Sequence, residues 1–416
     1  MSSEWRNFQL ADLAKFKYGK FLAKSQLDAS GFPVFSGYGV VGYLPTYEFD
    51  DPKLLIVCRG EGGTGDVKMS PAKCSITNLS IVISPNEEIV SKKFLYWALK
   101  ASDTHRLRTG SAQAQIVIGS LERLGLAIPT DKSVQDEVAY MLSSLDDRIT
   151  LLRETNATLE AIAQALFKSW FVDFDPVHAK MQGRVPEGMD EATAALFPDG
   201  FEESELGVVP RGWRVQSFRE TIQIIGGGTP KTSNPEFWNG DIPWFSVVDA
   251  PATSDVFVVD TEKHITATGL NGSSTKLLPI GTTIISARGT VGRLALTGCP
   301  MTMNQSCYGL RGLAGDSYFT YFATKRLVVQ LKQRAHGSVF DTITQESFAG
   351  VLVSTPSSKT ILMFEAQIES LMMRIRENLL QTQTLATLRD TLLPRLISGQ
   401  LRVGEAQSLV EEMHDV

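Results

Sequence analysis

The stretch VAYMLSSLDDRITLLRETNATLEAIAQALFKSW, residues 138–170, carries the longest regular pattern in the chain. Along it, the residues of one face return at alternating steps of four and three. The series is Val138, Leu142, Leu145, Ile149, Leu152, Asn156, Leu159, Ala163, Leu166 and Trp170. Heptads sustained over this length, with no Gly or Pro inside them, indicate a long helix that pairs as a coiled coil.

A second, weaker series keeps the same register 226 residues later. It is Phe364, Ile368, Leu371, Ile375, Asn378, Thr382, Leu385, Arg389, Leu392 and Leu396. Two core helices of an ordinary bundle would give similar patterns, but the shared register favours pairing of the two segments with each other. A helix of about 40 residues is ~60 Å long. Pro394 should bend the final turn of the second helix.

The predicted seam between these helices holds two polar residues, Asn156 and Thr382. A polar group on a seam costs stability and can fix the register of the pair. The other predicted seam residues are apolar: Leu142, Leu145, Ile149, Leu152, Leu159, Ile368, Leu371, Ile375, Leu385 and Leu392.

The rest of the chain is repeated once. Residues 110–129 (GSAQAQIVIGSLERLGLAIP) and 337–356 (GSVFDTITQESFAGVLVSTP) share Gly, Ser, Ile, Ser and Pro without a gap, at an offset of 227. Upstream, Arg59-Gly60 with Gly65 matches Arg288-Gly289 with Gly292, and residues 77–80 match residues 303–306. An offset this long excludes a solenoid and predicts two similar halves, each a mixed domain followed by a helix.

The predicted fold class is α+β. Two pseudo-symmetric domains of mixed β structure with short helices are separated by a pair of long antiparallel coiled-coil helices. Short apolar runs bounded by Gly, Pro, Asn and Asp predict the strands, as at 54–58 and 282–286. The predicted segments are a first domain at 1–129, a helix at 130–172, a connector at 173–212, a second domain at 213–356, a helix at 357–400 and a tail at 401–416.

Composition sets further bounds. A chain of 416 residues is long enough for two or three domains. There is no apolar run long enough for a membrane span, and the first residues do not resemble a secretory signal, so we expect a cytoplasmic protein. The net charge is −6, but by segment it is +3 over 1–130, −9 over 131–212, +2 over 213–356 and −2 over 357–416. The two large domains are therefore mildly basic, which permits phosphate contact without requiring it.

Motifs for catalysis are incomplete. Gly37-Tyr38-Gly39-Val40-Val41-Gly42 matches a dinucleotide-binding pattern, but Pro45 follows where a helix should begin. In the P-loop-like residues 226–232, Pro230 occupies the place of the second Gly. Asn234-Pro235-Glu236-Phe237 resembles the adenine-methyltransferase loop, but Glu236 breaks it. The four cysteines form no Cys-x-x-Cys pair, so no metal site is predicted, and we expect this chain to carry no catalysis.

The remaining polar loops suit DNA contact. Arg can hold guanine or phosphate bidentately, Asn and Gln can read adenine edges, and hydroxyls contact phosphate. For each single residue, a turn or a surface salt bridge is an equal alternative, and recurrence in both halves favours the functional interpretation. In the first half the candidates are Lys20, Ser36, Tyr38, Arg59, Gly60, Lys68, Asn78, Arg106, Arg108, Ser111 and Gln113. In the second half they are Thr229, Lys231, Thr232, Ser233, Asn234, Arg288, Gly289, Thr290, Arg293, Asn304, Gln305, His336 and Ser338.

The sequence resembles the specificity (S) subunits of type I restriction-modification systems. The most telling stretch is LFKSWFVDFDPV, residues 166–177, followed by Glu187-Gly-Met-Asp190, Ala194-Ala-Leu-Phe-Pro198, Ser204-Glu-Leu-Gly207 and Pro210-Arg-Gly-Trp213. The C-terminal LRDTLLPRLISG, residues 388–399, is also typical, and the likeness covers essentially the whole chain. The loops that read bases vary most within this family, so the candidate residues above depend on the repeat alone.

The resemblance implies a division of labour among subunits. Each half would recognise one part of a split double-stranded DNA site, while the helices set the spacing and dock two methyltransferase (M) subunits. Those subunits would use S-adenosylmethionine, and motor-nuclease (R) subunits would use ATP and Mg, so this chain itself would bind no cofactor. The alternatives are a stand-alone DNA methyltransferase or nuclease with two DNA-binding domains, and a coiled-coil scaffold without DNA function.

Overall fold

The computed structural model describes residues 4–60, 63–110, 114–251, 255–334 and 342–414. The chain divides into two compact units, Met1–Ile149 with Thr384–Val416, and Thr150–Gln383. Each unit therefore contains one β-rich domain and part of both long helices. The division falls inside the helices, whereas the boundaries expected from the sequence fall at their ends.

The β-rich domain of the first unit begins and ends with paired strands. In chain order its elements are β1 (Trp5–Gln9), α1 (Leu10–Leu13), β2 (Ala14–Tyr18), β3 (Phe32–Phe35), β4 (Val40–Leu44), β5 (Leu54–Val57), β6 (Val67–Met69), β7 (Ser75–Ile76), β8 (Ser80–Pro85), α2 (Lys92–Ala101), α3 (Ile118–Glu122) and β9 (Gly125–Pro129). The strands form sheets in the orders β2-β8-β5-β6, β4-β3-β7 and β1-β9. The central strand β5 is buried at all four residues, as its unbroken apolar run predicts.

The first long helix, α4 (Lys132–Phe171), follows β9 directly. The connector after it is folded, with α5 (Asp175–Met181), α6 (Glu191–Ala194) and a hairpin of β10 (Phe201–Ser204) and β11 (Gly207–Pro210). Val177 and Phe197 of the connector are buried in one cluster with Phe167 and Trp170 of α4. Its Pro, Gly and acidic residues gave it the composition of a linker, but a few apolar residues are enough to fix it to the core of the second unit.

The β-rich domain of the second unit repeats the first. Its elements are β12 (Arg214–Ser217), β13 (Ile222–Gly226), β14 (Trp238–Phe245), β15 (Phe257–Val258), β16 (His264–Ile265), α7 (Ala267–Asn271), β17 (Thr283–Ser286), β18 (Leu294–Thr297), β19 (Thr302–Met303), β20 (Cys307–Gly312), α8 (Tyr318–Arg334), α9 (Gln345–Ala349) and β21 (Leu352–Thr355). The sheet orders are β13-β20-β17-β18-β15, β16-β14-β19 and β12-β21. Each of these sheets has a counterpart in the first domain, with β15 as an added edge strand.

The second long helix, α10 (Ser358–Ile397), precedes the terminal α11 (Val403–His414). In the first unit Arg389 of α10 forms an ion pair with Asp146 of α4. In the second unit Asn378 of α10 bonds to Asn156 of α4, and Phe364 of α10 packs against Phe167 and Trp170 of α4. Within this unit, residue numbers fall along one helix as they rise along the other, so the helices run antiparallel, as predicted.

Four of the twenty predicted heptad positions are only half-buried. At Leu166 and Arg389 the buried residue is instead the neighbouring Phe167 or Leu388, and at Leu159 and Leu371 it is Glu160 or Met372. The buried stripe takes two successive steps of four up to Glu160 and Met372 because a straight α-helix turns once every 3.6 residues and drifts from a strict 3.5 repeat. The other predicted apolar seam residues are buried, and so are Asn156 and Thr382.

Candidate nucleic-acid interface

The two Arg-Gly loops occupy equivalent places in the two domains. The amide of Ile116 donates to the carbonyl of Cys58 at 2.8 Å, and the amide of Ile343 donates to that of Ala287 at 2.9 Å. The next residues, Arg59 and Arg288, therefore begin matching loops, each at the end of a buried central strand. Both are exposed.

The glycines of these loops also correspond. Gly60 and Gly289 follow the arginines with φ of +121° and +76°, which a side chain would strain. Each loop returns through a second glycine, because the amide of Gly65 donates to Val57 and that of Gly292 donates to Ser286, both at 2.9 Å. The match predicted from the sequence thus corresponds to the same loop structure in both domains.

The first loop is braced by aromatic side chains. The hydroxyl of Tyr38 donates to the carbonyl of Arg59 at 3.3 Å. A Cβ on Gly60 would lie 2.5 Å from that hydroxyl, so the glycine lets the ring lie across the loop. The guanidinium carbon of Arg59 lies 5.9 Å from the centre of the Tyr18 ring, a cation–π contact that restricts the side chain.

A second set of bonds holds the far side of the first loop. The hydroxyl of Thr64, which is buried, donates to the carbonyl of Gly60 at 3.0 Å. The guanidinium of Arg108 donates from Nε to the carbonyl of Thr64 at 2.6 Å. Arg108, predicted to contact DNA, is therefore engaged in holding the loop. Thr64 was missed because one Thr in a Gly-rich run carries no periodic signal.

The second loop is held by its own polar groups. The hydroxyl of Ser286 donates to the carbonyl of Thr290 at 2.6 Å. Arg293 donates to the carbonyls of Ala250 and Pro251 at 2.9 and 2.8 Å, so this candidate also positions a neighbouring segment. Arg288, Gly289 and Thr290 remain exposed at the tip.

The structure corrects the match between residues 77–80 and 303–306 by one residue. The amides of Thr77 and Asn304 donate to the carbonyls of Phe35 and Phe245, at 3.0 and 2.9 Å. Asn304 is thus the counterpart of Thr77, and Gln305 that of Asn78. The Asn304 side chain accepts from the amide of Ser306 at 3.0 Å, which makes it a turn residue. Asn78 and Asn304 therefore do not form an equivalent pair.

Several other candidates have local partners. Lys20 pairs with Glu48 at 3.3 Å, Lys68 with Asp66 at 3.3 Å and Arg106 with Asp103 at 2.6 Å. Such exposed pairs are weak and leave the cations available to another anion.

The remaining candidates differ in accessibility. Ser36 is buried and donates to the carbonyl of Gly39, so it has a structural role in the turn that presents Tyr38. Thr229 donates to Gln305, and Asn234 caps a turn by accepting from the amide of Glu236. The exposed segment beside them contains Lys231, Thr232 and Ser233. Ser111, Gln113, His336 and Ser338 lie outside the described residues.

The thiols lack features of a reactive site. Burial raises the pKa of Cys58 and Cys74, and it raises the pKa of Cys307 to about 12. These thiols therefore stay protonated near neutral pH, and the cysteines pack as small buried apolar residues. In the described part of the chain, no group of three or more His, Cys, Asp or Glu side chains is placed to hold a metal ion. Among the same residues, no helix is both long and apolar enough to cross a membrane.

The comparisons with known proteins agree on one family. The model of the type I restriction modification DNA specificity domain matches residues 2–161 and 210–384. The chain is 32% identical over 371 residues to the type I restriction enzyme HindI specificity subunit of Haemophilus influenzae, covering 77% of this chain and 80% of that protein. It is 28% identical over 160 residues to the MjaIX specificity subunit of Methanocaldococcus jannaschii, covering 38% and 37%. The solved S subunit of the type I restriction-modification system of M. genitalium aligns with a TM-score of 0.59 at 18% identity, over 95% of this chain and 96% of that one. At this identity, the structural likeness concerns the fold alone.

Proposed function

Because the chain belongs to the family of type I restriction-modification specificity subunits, we propose that each β-rich domain reads one half of a bipartite double-stranded DNA target. The repeated Arg-Gly loop is the observation that carries this proposal. In both domains an exposed arginine follows a buried strand. The next residue is a glycine with positive φ, so no side chain covers the backbone beside the arginine. A guanidinium in this position can bind guanine bidentately in the major groove.

The division of candidates follows from their contacts. We assign base reading to Arg59 and Arg288, because each is exposed at the start of a loop that occurs in both domains. The lysines and hydroxyl residues near the loops would contact phosphate, which positions a protein on DNA without reading sequence. Two mildly basic domains are consistent with this arrangement.

The proposal includes no catalytic step in this chain. The breaks at Pro230 and Glu236 in its nucleotide- and methyltransferase-like motifs support that view. We propose that two M subunits supply S-adenosylmethionine chemistry and that R subunits use ATP and Mg, with the helices as their docking elements. This chain would itself bind no cofactor.

Arginine substitutions test the DNA-reading proposal. The subunit is assembled with its methyltransferase partner, the target is mapped from the methylation pattern, and gel-shift affinities are measured on target and unrelated DNA. We expect Arg59→Ala and Arg288→Ala each to weaken target binding by ~1–3 kcal/mol and to relax specificity in one half-site.

Arg184→Ala, an exposed change in the connector, serves as the control and should leave binding unchanged. Equal losses on target and unrelated DNA would make the loop arginines phosphate contacts. A wild-type complex with no sequence preference would contradict the proposed function itself.

A further inference from the structure

Strand register identifies a second pair of equivalent exposed residues. Phe35 at the end of β3 pairs in parallel with Ile76, and Phe245 at the end of β14 pairs in parallel with Met303. Ile76 and Met303 are themselves 227 residues apart, the offset of the repeat, so Phe35 and Phe245 are counterparts. The sequences agree, since FPVFSGY at 32–38 and IPWFSVV at 242–248 share Pro, Phe and Ser. Three residues beyond each Phe lie Tyr38 and Val248.

Both residues expose apolar surface. Tyr38 is 46% exposed and Val248 is 71% exposed. A single exposed apolar side chain is common on any protein and by itself indicates nothing. Here the exposure recurs three residues after two register-matched phenylalanines, on turns with different hydrogen bonds: the amide of Ser36 donates to Gly39 in one, and the amide of Asp249 donates to Ser246 in the other.

In the first domain, Tyr38 lies directly on the Arg-Gly loop. Besides its bond to Arg59, its ring faces Gly63, where a Cβ would lie 2.5 Å from a ring carbon. The turn that presents the ring is fixed from below, because the buried hydroxyl of Ser80 donates to the carbonyl of Ser36 at 3.0 Å. The Gly37–Gly42 motif, which suits no dinucleotide site here, thus forms the turn that carries Tyr38.

In the second domain, the segment with Val248 is tied to the matching loop. Arg293 of that loop donates to the carbonyls of Ala250 and Pro251, two and three residues after Val248. The hydroxyl of Ser246 donates to Asp249 at 2.9 Å, and Asp249 also accepts from the amide of Glu262 at 2.8 Å. Val248 is therefore the exposed tip of a turn closed on both sides.

We propose that Tyr38 and Val248 are equivalent apolar base contacts, each touching a thymine methyl group in the half-site that its domain reads. This inference rests on the proposed function and goes beyond it by naming the chemical group that is read. The methyl group is the one apolar feature of base edges in the major groove, and apolar side chains recognise it. An arginine and an apolar side chain on adjoining loops would read a guanine and a nearby thymine together.

Substitution of uracil for thymine tests the proposal at single positions, because uracil lacks only the methyl group. Each thymine of the mapped target is replaced in turn, and the affinity of the assembled complex is measured. We expect one sensitive thymine in each half-site, with affinity reduced about fourfold, the value for one buried methyl-sized group.

The variants assign each sensitive thymine to one side chain. Val248→Ser should abolish the uracil effect in one half-site and leave the other unchanged, because serine offers no methyl group for apolar contact. Tyr38→Ser should do the same in the opposite half-site. Tyr38→Phe keeps the ring but loses the bond to Arg59, so it should retain the uracil effect.

Val185→Ser is the matched control, because Val185 is 74% exposed and lies in the connector. It should retain both sensitive thymines. The absence of any sensitive thymine in a target that the wild type still prefers would overturn the inference and leave the proposed function standing. Retention of both effects in Val248→Ser and Tyr38→Ser would overturn it as well. A wild-type complex that does not distinguish target from unrelated DNA would instead remove the function on which it rests.

Discussion

Two acidic residues lie beside the start of α8, Asp316 just before it in the chain and Glu365 on α10. Asp316 is 6% exposed and accepts a hydrogen bond from the hydroxyl of Thr320 at 2.5 Å. Glu365 of α10 accepts from the amides of Ser317 and Phe319 at 3.0 and 2.6 Å. Burial raises the pKa of both carboxyl groups, and the charge of Asp316 further raises that of Glu365. The structure therefore favours their protonated forms relative to the unfolded chain.

We expect Asp316→Asn to gain stability relative to the wild type as pH rises. A carboxyl group whose pKa is raised by folding stabilises the folded state below its ordinary pKa, here 3.8, and loses that contribution as pH rises through the raised value. The amide keeps an acceptor for Thr320 and does not titrate. The check is urea unfolding of both chains at several pH values between about 4 and 8.

The exposed helix cap Asp190 supplies a control of opposite sign. Its hydrogen bonds to Thr193 lower its pKa, so its contribution is lost as pH falls. The difference between the wild type and Asp190→Asn should therefore stay constant between about pH 4 and 8 and change in the opposite sense only below 3.8, the ordinary pKa of the group. A constant difference between the wild type and Asp316→Asn over the whole range would show that Asp316 does not titrate in this window.

The single residues differ in whether their counterparts in the other domain could be predicted from the sequence. Arg59 and Arg288 could be matched because Arg-Gly is a distinctive pair with a definite strand before it. Asn78 and Asn304 were matched as well because both are asparagines. The backbone hydrogen bonds show instead that Asn304 corresponds to Thr77. Val248 escaped notice because an exposed Val in a loop has no signature until strand register reveals its counterpart.

Among the elements, the helix pair buries a polar contact between Asn156 and Asn378 on its seam. The side chain of Asn156 donates to the carbonyl of Ile375 at 3.0 Å and accepts from the side-chain amide of Asn378 at 2.9 Å. Thr382 occupies the position 226 residues after Asn156, and its buried hydroxyl has no partner among the described residues. The Asn-Asn contact thus occurs once, so this layer can specify a single register of the pair.

We expect Asn156→Ala to destabilise the chain by about 1–3 kcal/mol, because the buried amide of Asn378 loses its acceptor. Asn378→Ala should have a similar effect. The double variant should cost less than the two single costs combined, since no unpaired amide then remains. Urea unfolding of the four chains measures this coupling, and strictly additive losses would show that the contact contributes nothing of its own.

The helices themselves were the most predictable elements. A heptad pattern can be recognised from the residues of one helix alone, without knowledge of the rest of the fold. In the structure α4 and α10 have 40 residues each. The shift from Leu159 to Glu160 was not predictable, because Glu160 is buried against Lys325 of α8, with 2.7 Å between Oε1 and Nζ. A charged residue enters a buried stripe only when a partner from elsewhere in the fold is present.

At the scale of the whole molecule, the repeat and the family resemblance predicted two domains and two helices correctly. The contact-based units were not predicted, because both α4 and α10 pass from one unit into the other without a break. Sequence patterns mark where a helix ends. They do not show which part of a continuous helix packs with which domain, because that depends on tertiary contacts such as those of Phe364 with Phe167 and Trp170.

The continuity of the helices leads to a prediction about target spacing. A second copy of residues 149–155 is placed after Thr155, and a second copy of residues 380–386 after Leu379. The seam pattern is preserved, Asn156 still faces Asn378, and each helix grows by ~10 Å, or about three base pairs of DNA. If the helix pair sets the distance between the two reading surfaces, the half-site sequences should stay the same while the preferred spacer grows by about three base pairs. Affinity should fall, because three base pairs also turn the second half-site by about 100° around the DNA axis.

Methylation of a randomised-spacer library by the assembled complex measures the preferred spacer, and insertion into α4 alone is the control that breaks the pairing of the helices. An unchanged spacer at full activity would show that these helices do not set the distance, and altered half-site sequences would show that they take part in reading bases.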